Sequence, residues 1–299
     1  MQVTAWSDLQ AFLAIARAGQ LARAAHVLGL DATTMGRRLR RLEARLGASL
    51  FEQTREGQVL TEAGERLLAQ VEGMAASAAG IAESAGSAGD LAGSLRISVP
   101  EGFGSWFLSR HVAAFAAAHP RLTLDLVANS GLLSLSKREA DIAVSLSRPR
   151  AGPVIARKLS DYALRLYASP VYFARAGAVE RAADLTRGHD LVGYIPDLLY
   201  DPGLDYLGEI HPGLEVRMRS SSINAQQRLL AAGAGIGVLP CFIGDADQAL
   251  VPVLPERRIL RTFWLVTHKD THQLARVRAG KDWLAAAVQR EREILLAHQ

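Results

Sequence analysis

The sequence has a single cysteine, Cys241, and no apolar stretch long enough to span a membrane. One cysteine excludes an intramolecular disulfide and a cysteine-rich zinc motif, and it is typical of a reducing compartment. The longest uncharged run, residues 229–244, contains four glycines and Pro240, and it is shorter than the roughly 18–20 residues of a spanning helix. The first residues lack the basic start and apolar core of a secretory signal. We therefore expect a cytoplasmic protein with no membrane partner.

Outside one segment, the sequence also lacks an excess of charge of either sign. Lys and Arg total 34 and Asp and Glu total 30, which gives a net charge of +4. Residues 37–45 contain five arginines and one glutamate, and five minus one gives the same +4. Concentrated positive charge points to a nucleic-acid partner better than a diffuse excess does. The 299 residues, 49% of them hydrophobic, predict two or three packed domains.

Motifs that would indicate catalysis or a cofactor are missing. The "GAGIG" stretch at residues 233–237 has Val238 where a dinucleotide loop needs its third glycine, and we interpret it as a helix-to-strand turn. His268 and His272 have the spacing of a zinc-binding helix, but Lys269 stands where a zinc protease carries Glu. There is no Gly-x-Ser-x-Gly elbow, and no His lies near the lone cysteine. We expect no enzyme activity, no metal and no cofactor.

Three amphipathic helices are predicted before residue 48. The first begins at a capping box on Ser7 and ends at Gly19, and the second covers residues 20–28 with Ala24, Ala25 and Leu28 on its inner face. The third helix begins after Asp31 and ends at Gly47. Only three residues link the second helix to the third, and this spacing is typical of a helix-turn-helix whose later helix enters the major groove.

The third helix has one apolar face and one polar face. At 100° per residue, its apolar side chains Met35, Leu39, Leu42 and Leu46 share a stripe, and Thr33, Arg37 and Arg40 point away from it. A solvated surface is the alternative explanation, but the helix-turn-helix and the bidentate reading of guanine by Arg favour DNA binding. The predicted DNA-binding residues on this helix are Thr33, Thr34, Arg37, Arg38, Arg40 and Arg41.

Two further elements follow. Residues 49–64 read as a β-hairpin wing with Arg55 at its tip, placed to reach a phosphate or the minor groove. A longer helix capped by Thr61 then repeats apolar residues at heptad spacing, namely Leu67, Val71, Met74, Ala78, Ile81 and Ala85. This seam predicts a homodimer that pairs two recognition helices. Packing against the chain's own body is the alternative.

Residues 12–64 contain a series of short pieces, namely Ala24-Ala25, Arg37, Leu42-Glu43, Leu46-Gly47, Leu50-Phe51, Leu60-Thr61 and Ala63-Gly64. Through these pieces the segment resembles, without gaps, the N-terminal domain of the LysR-type transcriptional regulators. Family members commonly carry Ser-Gln where Asp31-Ala32 stands here, and Ser where Gly36 stands. We therefore expect a different base preference, carried by Thr33, Arg37 and Arg40.

The C-terminal part alternates strand and helix patterns, which predicts a parallel α/β sheet. The resemblance implies an α/β fold like that of periplasmic binding proteins, behind an all-α winged domain. The predicted boundaries are 1–60 for the winged helix-turn-helix, 61–92 for the linker helix and hinge, and 93–299 for the effector-binding domain. Its first lobe is expected at 95–163 and 270–299, and its second at 164–269.

An effector is expected in the cleft between these lobes, at strand ends and helix N-termini. The candidate residues are Val99, Pro100, Glu101, Gly102, Phe103, Asn129, Ser130, Tyr194, Ser221, Ser222 and Asn224. Ordinary helix capping is the alternative for Ser221 and Ser222. Many relatives have Arg where Ser145 stands here, so an effector carboxylate held by that side chain is not expected.

The sequence thus predicts a transcriptional regulator that binds double-stranded DNA and a small-molecule effector. By resemblance it forms homodimers or homotetramers and contacts RNA polymerase. The alternative function is a small-molecule binding protein of the periplasmic type without a regulatory DNA role.

Overall fold

The computed structural model describes residues 5–54, 57–85, 91–129 and 140–297. The chain forms two compact units, Met1–Gly86 and Ser87–Gln299, called unit 1 and unit 2. Within the described residues, no helix is both long enough and apolar enough to cross a lipid bilayer.

Unit 1 is a helical domain with a small hairpin. Its elements are α1 (Trp6–Ala18), α2 (Leu21–Leu28), α3 (Ala32–Leu46), β1 (Phe51–Gln53), β2 (Gln58–Leu60) and α4 (Glu62–Ala85). Its core packs Phe12 and Ile15 of α1 against Met35 and Leu42 of α3 and Val71 of α4. The predicted helices, hairpin and linker helix are therefore all present.

Glycines set the angles between the first three helices. Gly19, Gly29 and Gly47 end α1, α2 and α3 in the left-handed conformation, which costs glycine little because it has no Cβ. The Gly29 N–H donates to the carbonyls of Ala25 and His26, so the chain reverses within three residues before α3 begins. The predicted helix-turn-helix spacing is thus confirmed.

Some sequence-based details of these helices were wrong. α1 has Ala5 at its N-cap with no side-chain hydrogen bond, so the Ser7 capping box is not formed. Leu46 is 44% exposed and Leu28 is 36% exposed. Both residues are the last of their helices, where no following turn covers an inward-facing position. The apolar stripe of α3 therefore consists of Met35, Leu39 and Leu42 alone.

The hairpin is tied to the start of α4 by one threonine. The Thr61 hydroxyl donates to the Ser49 carbonyl at 2.7 Å and accepts from the Gly64 N–H at 3.1 Å. A Cβ added to Gly64 would lie 2.2 Å from the Leu50 carbonyl oxygen. Only a residue without a side chain fits there, which explains the glycine at this position.

The linker helix α4 packs partly on its own domain. Val71 is fully buried and Leu67 packs against the core of unit 1, whereas Met74 is 48% exposed. The alternative of packing on the chain's own body therefore holds for the first positions of the predicted seam, and Met74 and Ala78 remain open to a partner. The side chains of Ile81 and Ala85 lie outside the described ones.

Unit 2 is an α/β domain. Its strands are β3 (Ala92–Pro100), β4 (Arg121–Asn129), β5 (Ile142–Ser145), β6 (Val154–Ala168), β7 (Leu191–Gly193), β8 (Met218–Arg219), β9 (Ile236–Pro240), β10 (Val251–Val253) and β11 (Ile259–His268). Its helices are α5 (Ser109–Ala118), α6 (Pro170–Ala176), α7 (Leu207–Ile210), α8 (Ile223–Ala231), α9 (Cys241–Gly244), α10 (Ala275–Arg290) and α11 (Arg292–Leu296). The "GAGIG" stretch forms the turn after α8 and the first residues of β9, which agrees with the predicted helix-to-strand turn, and Gly233 has a positive φ.

The sheet is mixed rather than parallel, which corrects the expectation. Its order is β4-β3-β5-β11-β6-β9-β7-β8, with β10 beside β6. Pairs β3-β4, β3-β5, β7-β8 and β7-β9 are parallel, but the long strands β6 and β11 are antiparallel to each other, and each is antiparallel to its other neighbours. Runs of buried apolar residues do not reveal strand direction, so the pattern could not show this.

The β6-β11 pair separates two groups of strands. We call β3, β4 and β5 with their helices lobe one, and β7, β8, β9 and β10 with theirs lobe two. The register of β6 and β11 shifts between Phe263 and Trp264. Residues from Trp264 onward pair with β5 of lobe one, whereas residues 164–168 of β6 pair with β9 and β10 of lobe two. The predicted lobe boundaries at 163 and 270 remain predictions.

We predict that Gly64→Ala destabilises unit 1 by about 1–3 kcal/mol, because the new methyl group meets a backbone oxygen that cannot move alone. The matched control is Gly36→Ala on α3, whose Cβ would lie 3.5 Å from Leu21 Cδ2 in ordinary contact. The control should be neutral or stabilise by up to about 1 kcal/mol through helix propensity. Urea unfolding of the full chain measures both, and equal stability of the two variants would contradict the packing argument.

Candidate nucleic-acid interface and ligand cleft

The exposed face of α3 carries the concentrated positive charge. Thr33, Arg37 and Arg40 are exposed, while Met35 and Leu42 are fully buried beneath them. The one acid of this segment, Glu43, accepts from the Leu50 N–H at 2.8 Å and so holds the segment before the hairpin. Arg37 and Arg40 are thus presented outward on a helix that is anchored by its opposite face.

Asp31 is occupied as the cap of this helix. Its carboxylate accepts from the Thr34 N–H at 2.7 Å and from the Thr34 hydroxyl at 2.8 Å. These two hydrogen bonds lower the pKa of Asp31 below its ordinary value. The Thr34 hydroxyl, which is predicted to contact DNA, therefore donates a hydrogen bond within the chain. The Asp31 carboxylate is engaged at the N-terminal end of α3.

A buried acid on α1 binds two of the α3 arginines. Asp8 is fully buried, and its carboxylate accepts two hydrogen bonds from Arg41. Arg45 Nη1 lies 3.5 Å from Asp8 Oδ2. Arg38 also turns toward α1 and donates to the Ser7 carbonyl at 3.4 Å. The arginines of α3 thus divide into an outward pair, Arg37 and Arg40, and a set that contacts α1.

Sequence reasoning did not identify Asp8. The available signal was a lone acid at the start of an apolar helix, directly beside Leu9, where an unpaired carboxylate would be costly to bury. Arg55, predicted at the wing tip, lies outside the described residues.

In unit 2, several of the predicted effector residues meet in one place. Glu101, directly after β3, accepts from Ser222 Oγ at 2.8 Å, from the Ile223 N–H at 3.0 Å and from Asn224 Nδ2 at 3.1 Å. Trp106 Nε1 in turn donates to Asn224 Oδ1 at 2.8 Å. Residues that are more than 110 positions apart in the chain thus join lobe one to lobe two.

A small aromatic cavity of about 30 Å³ lies beside this contact. Of the predicted residues, Pro100, Gly102, Phe103 and Tyr194 line it. The lining residues that were not predicted are Leu146, Tyr162, Leu164, Tyr200, Leu204, Tyr206, Ile223, Pro240, Phe242 and Phe263. Most of these come from the β6-β11 pair and from lobe two. No sequence pattern indicated that the mixed sheet would bring them together here.

The remaining predicted residues lie outside this cavity lining. Val99 is fully buried in β3, and Asn129 is half-buried at the end of β4. Ser222 is the N-cap of α8 and accepts from the Ala225 N–H at 3.1 Å, so the capping alternative holds for it. Ser221 is half-buried beside Ser222. Ser130 lies outside the described residues.

The tyrosines that line the cavity are neutral near pH 7. Burial raises the pKa of Tyr162, Tyr194, Tyr200 and Tyr206 above that of a free tyrosine. Burial also raises the pKa of the Cys241 thiol to about 11, so this residue is a protonated core side chain near neutral pH. Among the described residues, no group of three His, Cys, Asp or Glu side chains is arranged to hold a metal ion.

Two family models match the chain. Residues 6–65 match the model described as bacterial regulatory helix-turn-helix protein, lysR family. Residues 88–289, about two thirds of the chain, match the LysR substrate binding domain.

The chain is also similar to individual transcriptional regulators and to a solved structure. The chain is 28% identical to the Mau operon transcriptional activator of Paracoccus denitrificans, over 94% of this chain and 95% of that protein. It is 30% identical to the HTH-type transcriptional regulator PtxR of Pseudomonas aeruginosa, over 85% of this chain and 83% of that protein. A full-length OxyR structure from Pseudomonas aeruginosa has the same fold, with a TM-score of 0.74 at 20% identity, over 97% and 96% of the two chains.

The contrast between the two sets of arginines gives a stability prediction. Arg41→Ala should lower the midpoint of thermal unfolding by several degrees, because it leaves the buried Asp8 with the more distant Arg45 alone. Arg37→Ala, the matched control on the same helix, should leave the midpoint unchanged. Differential scanning calorimetry of the full chain measures both, and equal midpoints would show that the Asp8 contact does not hold α3.

Proposed function

Because the chain belongs to the LysR family of transcriptional regulators, we propose that Thr33, Arg37 and Arg40 of α3 read DNA bases in the major groove. The observation that carries this proposal is the outward presentation of Arg37 and Arg40 on a helix anchored by Met35, Leu42 and Asp8. Arg can donate two hydrogen bonds to guanine, and each such pair contributes about 1–3 kcal/mol of discrimination.

The other predicted contacts take supporting roles. Arg38 and Arg41, which contact α1, place positive charge beside the groove for phosphates, and Thr34 fixes the cap of α3. Arg55, which the sequence predicts at the wing tip, is proposed as a phosphate contact. The Asp31 carboxylate is engaged within the chain as the cap of α3, where it accepts from the Thr34 N–H and the Thr34 hydroxyl.

Unit 1 also carries a surface suited to a second copy of the chain. A groove of about 520 Å³ lies between α1, α2 and α4, and its apolar lining includes Leu13, Val27 and Ala78. Val27 is 71% exposed, and Met74 of α4 is half-exposed. Covering these side chains with a partner's α4 gives the homodimer that pairs two recognition helices, and pairs of dimers give the tetramer.

The cleft of unit 2 is proposed to take the small-molecule effector. Binding there would change the relative populations of two arrangements of the oligomer, and so change the spacing of the recognition helices on double-stranded DNA and the contact with RNA polymerase. The match of residues 6–65 to a DNA-binding family gives the alternative, a binding protein without a DNA role, no support. We propose no catalytic step, and the relatives are regulators as well.

We predict that Arg37→Ala removes sequence discrimination, with about a 5- to 100-fold loss on the specific site and little loss on random DNA. The specific site is the sequence enriched by in vitro selection with the intact chain, and gel-shift titration measures binding. Arg187→Ala, an exposed arginine of unit 2, removes the same charge and should bind as the unaltered chain does.

Arg55→Ala should behave differently from Arg37→Ala. It should weaken binding to specific and random DNA alike and lower the salt dependence of the affinity, because a phosphate contact carries no sequence information. Titrations at two salt concentrations separate the two effects. If both variants lost the same affinity on both DNAs, the assignment of a base-reading role to Arg37 would be wrong.

A further inference from the structure

The ligand cleft of unit 2 already contains a carboxylate that belongs to the chain. Glu101 of lobe one uses both of its oxygens: Oε1 accepts from Ser222 Oγ and Asn224 Nδ2, and Oε2 accepts from the Ile223 N–H. All three donors belong to the first turn of α8 or to its cap in lobe two. Two of the three are side chains, so this is a formed binding site for a carboxylate and not a bare helix end.

These donors are held in place by further contacts. Trp106 donates to Asn224 Oδ1 at 2.8 Å, which turns the Asn224 amide group toward Glu101. The Ser222 hydroxyl accepts from the Ala225 N–H, so its own proton is directed to the carboxylate. The positive end of the α8 dipole adds to the attraction. An external carboxylate would need these donors, and Glu101 occupies them.

Covalent attachment gives Glu101 an advantage over any free anion. A group on the same chain acts at an effective concentration of millimolar or more. A free carboxylate at lower concentration must displace it and also leave a second negative charge in the cleft. Close approach of like charges disfavours that state.

The cavity beside Glu101 favours a different ligand chemistry. Its described lining contains no Arg, Lys or His, and it is formed largely by Phe103, Phe242, Phe263 and four tyrosines whose pKa values are raised by burial. Within this described lining, no cationic side chain compensates the charge of an ionised ligand. Aromatic faces and neutral hydroxyl groups instead suit a ring that carries a polar, uncharged substituent.

We propose that this cleft binds an uncharged, single-ring aromatic molecule with a hydrogen-bond donor, and that Glu101 is the specificity residue that excludes carboxylates. The inference rests on the proposed role of the cleft as the effector site. The donor group of the ligand bonds to Glu101 or to a tyrosine hydroxyl, while the ring packs on the aromatic lining.

The ligand also has to enlarge the cavity. An apolar cavity of about 150 Å³ holds benzene, whereas this one measures about 30 Å³. The lobes are joined by Glu101 and also by Ser147 Oγ, which donates to Asp201 Oδ2 at 2.7 Å. Binding therefore moves the lobes or their aromatic side chains, which links occupancy of the cleft to the shape of unit 2.

The test compares two probes of the same size on the full chain, benzyl alcohol and benzoate, by isothermal titration calorimetry. The unaltered chain should bind benzyl alcohol at least tenfold more tightly than benzoate. Glu101→Ala frees the three donors, so its affinity for benzoate should rise at least tenfold. Glu101→Ser also removes the carboxylate but keeps a small polar side chain, and it should show the same rise in benzoate affinity. It provides the measurement if the alanine variant does not fold.

The matched control is Glu215→Ala, which removes one exposed glutamate of the same unit. It should keep the probe preference of the unaltered chain. The inference is overturned if the unaltered chain binds benzoate as well as benzyl alcohol, if it binds neither probe, or if both Glu101 variants leave benzoate affinity unchanged. Gel shifts on the selected DNA site run in parallel. DNA binding with no probe preference defeats this inference alone, and absence of DNA binding by the unaltered chain defeats the proposed regulatory function.

Discussion

A carboxylate can leave water only where donors replace the water, and this constraint organises both units of the protein. In unit 1, Asp8 has no exposed surface and takes Arg41 and Arg45 as its partners. In unit 2, Glu101 takes the capped first turn of α8. In each case, the acid accepts hydrogen bonds from some of the cationic or donor groups and so limits which of them a ligand can contact. Arg37 and Arg40 stay exposed, and the donors at the start of α8 are occupied by a carboxylate of the chain itself.

The helices of unit 1 were predicted from the sequence more accurately than the elements of unit 2. Periodicity located α1, α2 and α3, and the left-handed positions of Gly19, Gly29 and Gly47 explain why those helices end where they do. The pattern failed at Leu28 and Leu46, because a residue at the end of a helix lacks a following turn to cover it. Pairing partners such as Asp8 escaped detection, since a one-dimensional pattern does not reveal which charged residues meet in space.

The α/β domain was predictable in kind but not in detail. Alternating apolar runs indicated a sheet with helices, and the family resemblance supplied two lobes, yet the antiparallel course of β6 and β11 was not visible in composition. Glu101, Ser222 and Asn224 were each proposed as ligand contacts from their positions after a strand or before a helix. Their mutual hydrogen bonds depend on the three-dimensional approach of segments about 120 residues apart.

The β6-β11 ribbon has a mechanical consequence. Ten residues of β11 pair with β6 along an antiparallel ladder that is interrupted by one irregularity between Phe263 and Trp264. A two-stranded ribbon resists stretching and in-plane shear, because either deformation breaks several ladder hydrogen bonds at once, whereas twisting about its long axis spares them. Of these deformations, rotation of the two halves of the sheet about the long axis of the β6-β11 pair therefore breaks the fewest backbone hydrogen bonds.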